Sequence, residues 1–122
     1  MTVKEIQEKI DGFHYWDARV LYLDCNHFAD EIALGYKYEG NTINYNFIGC
    51  YKSIFDHIKK YDKLRPVKEM TVSQIVYFLQ SVEVGETIEE GVRFFKCKIG
   101  MFPLEVEIWC KDIQVTKQKR SR

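Results

Sequence analysis

A chain of 122 residues with 46% hydrophobic content is long enough to bury a core, and one domain over residues 1–122 is expected. Its 18 Lys and Arg balance its 18 Asp and Glu, which excludes a nucleic-acid binder that works by a marked basic excess. No apolar run approaches membrane-spanning length, and Thr2-Val3-Lys4-Glu5 is polar where a signal peptide would be apolar, so cytoplasmic residence with no membrane partner is expected.

Thr2 followed by Glu5 has the spacing of a capping box. Val3, Ile6 and Ile10 then share one helical face, and Asp11-Gly12 predicts the stop, with Gly suited to a left-handed cap. Phe13-His14-Tyr15-Trp16-Asp17-Ala18-Arg19 is the densest polar and aromatic cluster of the chain. Arg19 to Cys25 reads as a strand, with Leu21, Leu23 and Cys25 on one side and Val20 and Tyr22 on the other. A polar connection, Asn26 to Asp30, leads into the region of clearest pattern.

Glu31 to Gly49 alternates apolar and polar residues with period two on both sides of Gly40-Asn41, which predicts a hairpin with a two-residue turn. With Gly40-Asn41 as the two turn residues, Glu39 would face Thr42, Tyr38 Ile43, Tyr36 Tyr45 and Leu34 Phe47, while Lys37 faces Asn44 and Gly35 faces Asn46 on the other side. Together with the strand before it, the hairpin predicts a three-stranded antiparallel meander.

Beyond Gly49 the pattern is ambiguous. Ser53 to Asp56 could cap a helix carrying Ile54, Phe55, Ile58 and Tyr61, or extend a strand from Tyr51; the helix is the expectation. Tyr61 to Glu69, with Arg65-Pro66, reads as loop. Thr71 to Gln74 repeats the capping-box pattern, and Val72, Ile75, Val76 and Leu79 sit at helical spacing, so a short helix to about Gln80 is expected before a strand through Val82 and Val84. The β-branched content of that stretch favours strand instead. Gly85 to Gly91 reads as an acidic loop.

A second hairpin follows, Val92 to Ile99 and Leu104 to Lys111, around Gly100-Met101-Phe102-Pro103. If Ile99 faces Leu104, then Cys97 meets Val106 and Phe95 meets Ile108, while Lys98 meets Glu105, Lys96 meets Glu107 and Phe94 meets Trp109 on the opposite face. Ile113 and Val115 are out of phase with Ile108, which predicts a bulge or twist near Lys111-Asp112. Residues from about 117 to 122 read as a disordered basic tail. The expected fold is α+β: a single twisted antiparallel sheet of about five or six strands, possibly folding over on itself, with two or three short helices.

Chemistry is sparse. Cys25, Cys50, Cys97 and Cys110 have no CxxC spacing and no His at ligand spacing, so they read as buried free thiols, with no metal site. No phosphate-cradling glycine motif occurs, and no cofactor is expected. His14, Asp17 and Arg19 could form a base, its orienter and an anion holder; alternatively His14 and Asp17 satisfy backbone groups while Trp16 covers the core. His27 and His57 read as solvated. Glu83, Glu86, Glu89 and Glu90 form an acidic stretch, either a solvated loop or a patch for a basic partner protein. Tyr36, Tyr38, Tyr45 and Phe47 share a face with Ile32, Leu34 and Ile43, and so read as core, not as a base-stacking platform.

Gly12-Phe13-His14 with Asp17-Ala18-Arg19-Val20, Glu31-Ile32-Ala33-Leu34 and Tyr45-Asn46-Phe47-Ile48-Gly49 resembles small bacterial immunity-type proteins of polymorphic-toxin systems over the first fifty or so residues. Those proteins place His and Asp side by side, whereas Tyr15-Trp16 stands between them here. The resemblance implies a non-enzymatic antiparallel α+β module that binds and neutralises a toxin, and it brings no active site. The candidate partner-binding residues are His14, Trp16, Asp17, Arg19, Glu83, Glu86, Glu89 and Glu90. Two other readings stay open: a small-molecule binder or hydrolase with a pocket near His14, Asp17 and Arg19, and a structural homo-oligomer using a sheet edge.

Overall fold

The capping box at Thr2 forms as its spacing predicts. Glu5 N–H donates to Thr2 Oγ1 at 3.1 Å and Thr2 N–H donates to Glu5 Oε1 at 2.8 Å, starting helix α1, Val3–Asp11. Those hydrogen bonds from Thr2 hold the Glu5 carboxyl below its ordinary range. The helix ends at Gly12 in the right-handed region, φ −68°, and not in the left-handed cap expected for glycine. The computed structural model describes residues 1–57, 66–74 and 76–119. The remaining strands are β1 Val20–Asn26, β2 Glu31–Tyr38, β3 Asn41–Ile48, β4 Lys52–His57, β5 Ser81–Glu89, β6 Val92–Met101, β7 Leu104–Cys110 and β8 Asp112–Lys119, with 3₁₀ turns at Val67–Glu69 and Val72–Gln74.

These strands form two four-stranded antiparallel sheets, ordered β1-β2-β3-β8 and β4-β7-β6-β5, and not the single sheet of five or six strands that was expected. The α+β class and the β1-β2-β3 meander hold. Two sheets arise because the chain changes sheet twice. It leaves the first sheet after β3 through Gly49, φ +68°, and returns from β7 to β8 across Lys111. Lys111 N–H donates to Ile48 O at 3.0 Å, and a Cβ on Gly49 would lie 3.0 Å from Lys111 Cγ, so the two crossings run side by side. The phase change at Lys111-Asp112 is this crossing: Ile108 and Cys110 point into the core from one sheet, Ile113 from the other.

Both hairpins have the expected faces, but in each the pairing is shifted by two residues. In the first, Tyr36 faces Ile43, Leu34 faces Tyr45 and Ile32 faces Phe47. The turn is Glu39-Gly40, φ +45° and +80°, because a primed turn needs positive φ at both central residues. A shift of two preserves every side chain's face. Tyr36 and Tyr45 become diagonal neighbours and still meet edge to face at 5.5 Å. In the second hairpin Ile99 faces Val106, Cys97 faces Ile108, Lys98 faces Glu107 and Lys96 faces Trp109, with Phe102-Pro103 at the turn.

The core lies between the sheets. Tyr36, Tyr45, Phe47, Leu34 and Ile108 are fully buried in it together with Ile6 and Ile10 of α1. The helix packs across β5 and β8, one edge strand from each sheet. Gln7 fastens it there: its Nε2 donates to Val82 O at 3.1 Å, and Val84 N–H donates to its Oε1 at 2.8 Å. One amide side chain thus satisfies two backbone groups on the free edge of β5.

Several other expectations are corrected. Lys52–His57 is strand β4, paired with β7, so the cross-strand partners Ile54–Glu107 and Phe55–Val106 override a cap-like Ser53; Ile58 to Tyr61 lie outside the described residues. The contact from Thr71 N–H to Gln74 Oε1 forms at 3.0 Å, but it closes one 3₁₀ turn and not a helix to Gln80. Tyr77 to Leu79 instead runs extended beside Ala18 to Val20, with Val20 N–H donating to Tyr77 O and Leu79 N–H to Ala18 O, both at 2.9 Å. Gly85 to Glu89 belongs to β5, and Glu90-Gly91 is its turn, both at positive φ. Lys117 to Lys119 pair with Ile43 to Asn41 and are strand; residues 120–122 lie outside the described residues.

In β1 a register irregularity between Val20 and Tyr22 turns both Val20 and Leu23 toward the core. Tyr22 then lies on the outer face across from Gly35, and its hydroxyl donates to Asn44 Oδ1.

Candidate protein-binding site

The helix-to-strand cluster comes apart in three dimensions. Ala18 N–H donates to Tyr15 O at 2.8 Å, closing a turn in which Asp17 takes φ +64°. Asp tolerates that left-handed backbone better than most residues because its short side chain can bond locally. Asp17 N–H donates to Leu79 O at 2.6 Å, which ties the turn to the approach to β5. Trp16, at the tip, is 63% exposed and does not cover the core; the half-buried Tyr15 packs against the core instead. His14 and Asp17 are exposed, and among the described residues their side chains make no hydrogen bond. Arg19 turns away from both. Its Nη1 donates to Val72 O at 2.9 Å and its guanidinium stands 4.8 Å from the Phe78 ring centre, so it clamps the segment before β5. A cavity of about 220 Å³ beside β1 is walled by Val20, Leu21, Leu23, Tyr77 and Leu104, and none of His14, Asp17 and Arg19 lines it.

The acidic stretch is divided by strand alternation. Glu83 and Glu89 point to the outer face of the second sheet, and Glu86 to the other side. Glu86 Oε2 meets Arg93 Nη1 at 2.9 Å, both largely exposed, a pair worth on the order of 0.2–1 kcal/mol. Glu90 sits in the exposed β5–β6 turn.

Around Glu83 the sheet gathers groups that lie far apart in sequence. Register places Glu83, Lys98, Glu107 and Ile54 in one row across the outer face, with Ser81, Gly100, Glu105 and Asp56 in the next. Gly100 has no side chain, and Ser81 Oγ leans to within 2.7 Å of where its Cβ would be. The result is an open cleft of about 310 Å³ lined by Asp56, Glu83, Glu105 and Glu107, with Lys98 as its one cation among the described residues. On the far side of Glu107 the face is aromatic. Tyr51 stacks on Phe94 at 4.8 Å and lies 6.3 Å from Trp109, and the ammonium groups of Lys52 and Lys96 stand 4.7 and 5.5 Å from the Trp109 ring centre. Glu107 marks the boundary: its Oε2 accepts from Trp109 Nε1 at 2.7 Å and lies 3.9 Å from Lys96 Nζ.

Sequence reasoning placed Phe94 and Trp109 on one face but assigned them no role. The cap-like pattern at Ser53 to Asp56, which favours a helix, hides the contribution of β4 to this face. Among the described residues no three His, Cys, Asp or Glu side chains gather as a metal-binding group. No helix among them is long and apolar enough to cross a membrane.

The fold is a small antiparallel α+β domain whose charged and aromatic side chains lie on an open sheet face. The chain is a member of the Immunity protein PIM7 family, which it matches over residues 2–117. Membership extends the resemblance seen in the first fifty residues to nearly the whole chain, and it fits a protein-binding immunity role. A search of curated proteins finds no match.

Proposed function

We propose that this chain binds a toxin in the cytoplasm and neutralises it by steric and electrostatic occlusion, without catalysing a reaction. The observation that carries the reading is the family match across residues 2–117. The surface chemistry supports it: exposed Trp16 in the turn after α1, and carboxylates beside stacked rings on the second sheet, supply the aromatic anchors and charge that protein interfaces use. Arg19 is engaged in holding the segment before β5, so among the sequence candidates Trp16 and Glu83 are the ones best placed to meet a partner.

The test is co-production with the toxin encoded by the adjoining reading frame. Cells making that toxin alone should stop growing, and cells making both should grow. The two proteins should elute from gel filtration as one stoichiometric complex. Growth arrest that persists beside a folded, abundant chain refutes the proposal, as does protection by a chain that modifies the toxin and then leaves it.

A further inference from the structure

The outer face of the second sheet has the make-up of an interface and a marked division of charge along it. Along β7, and along β6 from Phe95 onward, the residues alternate, so there the inward side chains are spent on the core and the outward rows remain for a partner. Among the described residues no helix or strand lies over this face. At one end the cleft above Gly100 is walled by Asp56, Glu83 and Glu105, and among the described residues none of these three carboxylates is ion-paired. At the other end Tyr51, 52% exposed, lies on a stacked shelf with Phe94 and Trp109, with Lys52 and Lys96 beside the Trp109 ring and Lys111 beside that of Phe94.

The geometry points to this face as the toxin-docking surface, with a basic segment of the toxin seated so that an Arg or Lys side chain enters the cleft above Gly100 and the adjoining part lies on the Tyr51–Trp109 shelf. The inference rests on the proposed toxin-binding role and adds the face and the partner's chemistry. Charge complementarity selects the occupant. The cleft sets four carboxylates, Asp56, Glu83, Glu105 and Glu107, against the single ammonium of Lys98 among the described residues, so an entering cation offsets the excess negative charge, whereas an anionic or apolar group would leave that excess uncompensated as water is expelled. The missing side chain at Gly100 and the short Ser81 make the room, and about 310 Å³ lies at the small end of ligand pockets, suited to one or two side chains and not to a whole domain. The aromatic shelf next to the charged cleft supplies the rigid, low-entropy contact area that binding hot spots favour.

The test uses the full chain and the toxin of the adjoining reading frame, with affinity read by calorimetry and protection read by growth. Glu105→Lys and Glu83→Lys should each weaken the complex by at least about tenfold and slow association most at low salt. Tyr51→Ala should weaken it by a similar factor through dissociation. Glu39→Lys in the β2–β3 turn makes the same change in net charge away from the face and should leave affinity within about twofold. Glu83→Gln and Glu105→Gln, which keep the side-chain shape, serve if a reversal lowers the melting temperature, and they should still weaken binding severalfold. A wild-type chain that leaves the toxin active removes both the function and the face. A wild-type chain that neutralises the toxin while all the face variants bind as tightly as it does overturns the docking face alone.

Discussion

Gly35 is the one glycine placed mid-strand with an aromatic ring directly over it, and replacing it tests the packing of the first sheet. A Cβ at this position would lie 2.3 Å from Tyr22 Cε2 and 2.4 Å from Cζ. Carbon atoms rest at about 3.5–4.0 Å, so the ring must withdraw by roughly 1 Å or more. Overpacking of this kind costs about 1–3 kcal/mol. Withdrawal also strains the hydrogen bond from the Tyr22 hydroxyl to Asn44, a buried side chain, which is worth about 0.5–1.5 kcal/mol. Against these stands the preference for Ala over Gly within a strand, about 0.5–1 kcal/mol. Gly35→Ala should therefore destabilise the protein by about 1–3 kcal/mol, read as a lower urea midpoint at unchanged slope. In a Tyr22→Ala background the obstacle is gone, and the same substitution should be neutral or stabilising. The double-mutant cycle should return a coupling of about 1 kcal/mol or more. An equal loss in both backgrounds would show that the ring over Gly35 is not what the glycine serves.

Three further perturbations follow from named contacts. Gln7→Ala removes both of the side chain's bonds to the edge of β5 and leaves Val84 N–H without its acceptor, so it should cost about 1–3 kcal/mol; Gln7→Glu, which keeps the acceptor, should cost less, and equal losses in urea melts would refute the role given to the amide. Of the four free thiols, Cys25 is exposed, contrary to expectation, and should react with a thiol reagent in the folded protein within minutes; Cys50 should lag, and Cys97 and Cys110 should react only on unfolding, an order that timed labelling and mass spectrometry would check. Burial raises the thiols of Cys97 and Cys110, the latter to about 12, and raises the Tyr36 hydroxyl to about 12. The unfolded chain loses its thiol protons from about pH 8.5 while the folded chain keeps them, so stability is full below that pH and falls as pH rises toward the folded values, by up to about 1.4 kcal/mol per pH unit for each buried thiol. Urea midpoints from pH 7.5 to 10.5 should show this decline, and a shallower decline in Cys97→Ala/Cys110→Ala; a flat wild-type profile would contradict it.

Local pattern was decisive where it was redundant. Alternation along Ile32 to Phe47 and along Phe95 to Cys110 placed the rings and two of the thiols inside, because a side chain's face depends only on its parity along the strand. The capping box at Thr2 was legible because it involves two residues three apart. What parity leaves open is a shift by two, and both hairpins show that shift, with their turns at Glu39-Gly40 and Phe102-Pro103.

Tertiary structure decided what lies between distant segments. Whether Lys52 to His57 became helix or strand was settled by β7, and whether there was one sheet or two was settled by the paired crossings at Gly49 and Lys111. The candidate sites changed for the same reason. His14, Asp17 and Arg19 are neighbours in sequence, yet Arg19 turns to Val72 and Phe78. Asp56, Glu83 and Glu105 are far apart in sequence, yet hydrogen-bonded ladders bring them around a single glycine. Periodicity is a property of one segment and could be read directly; convergence depends on which edges meet, and only the packed sheets hold that information.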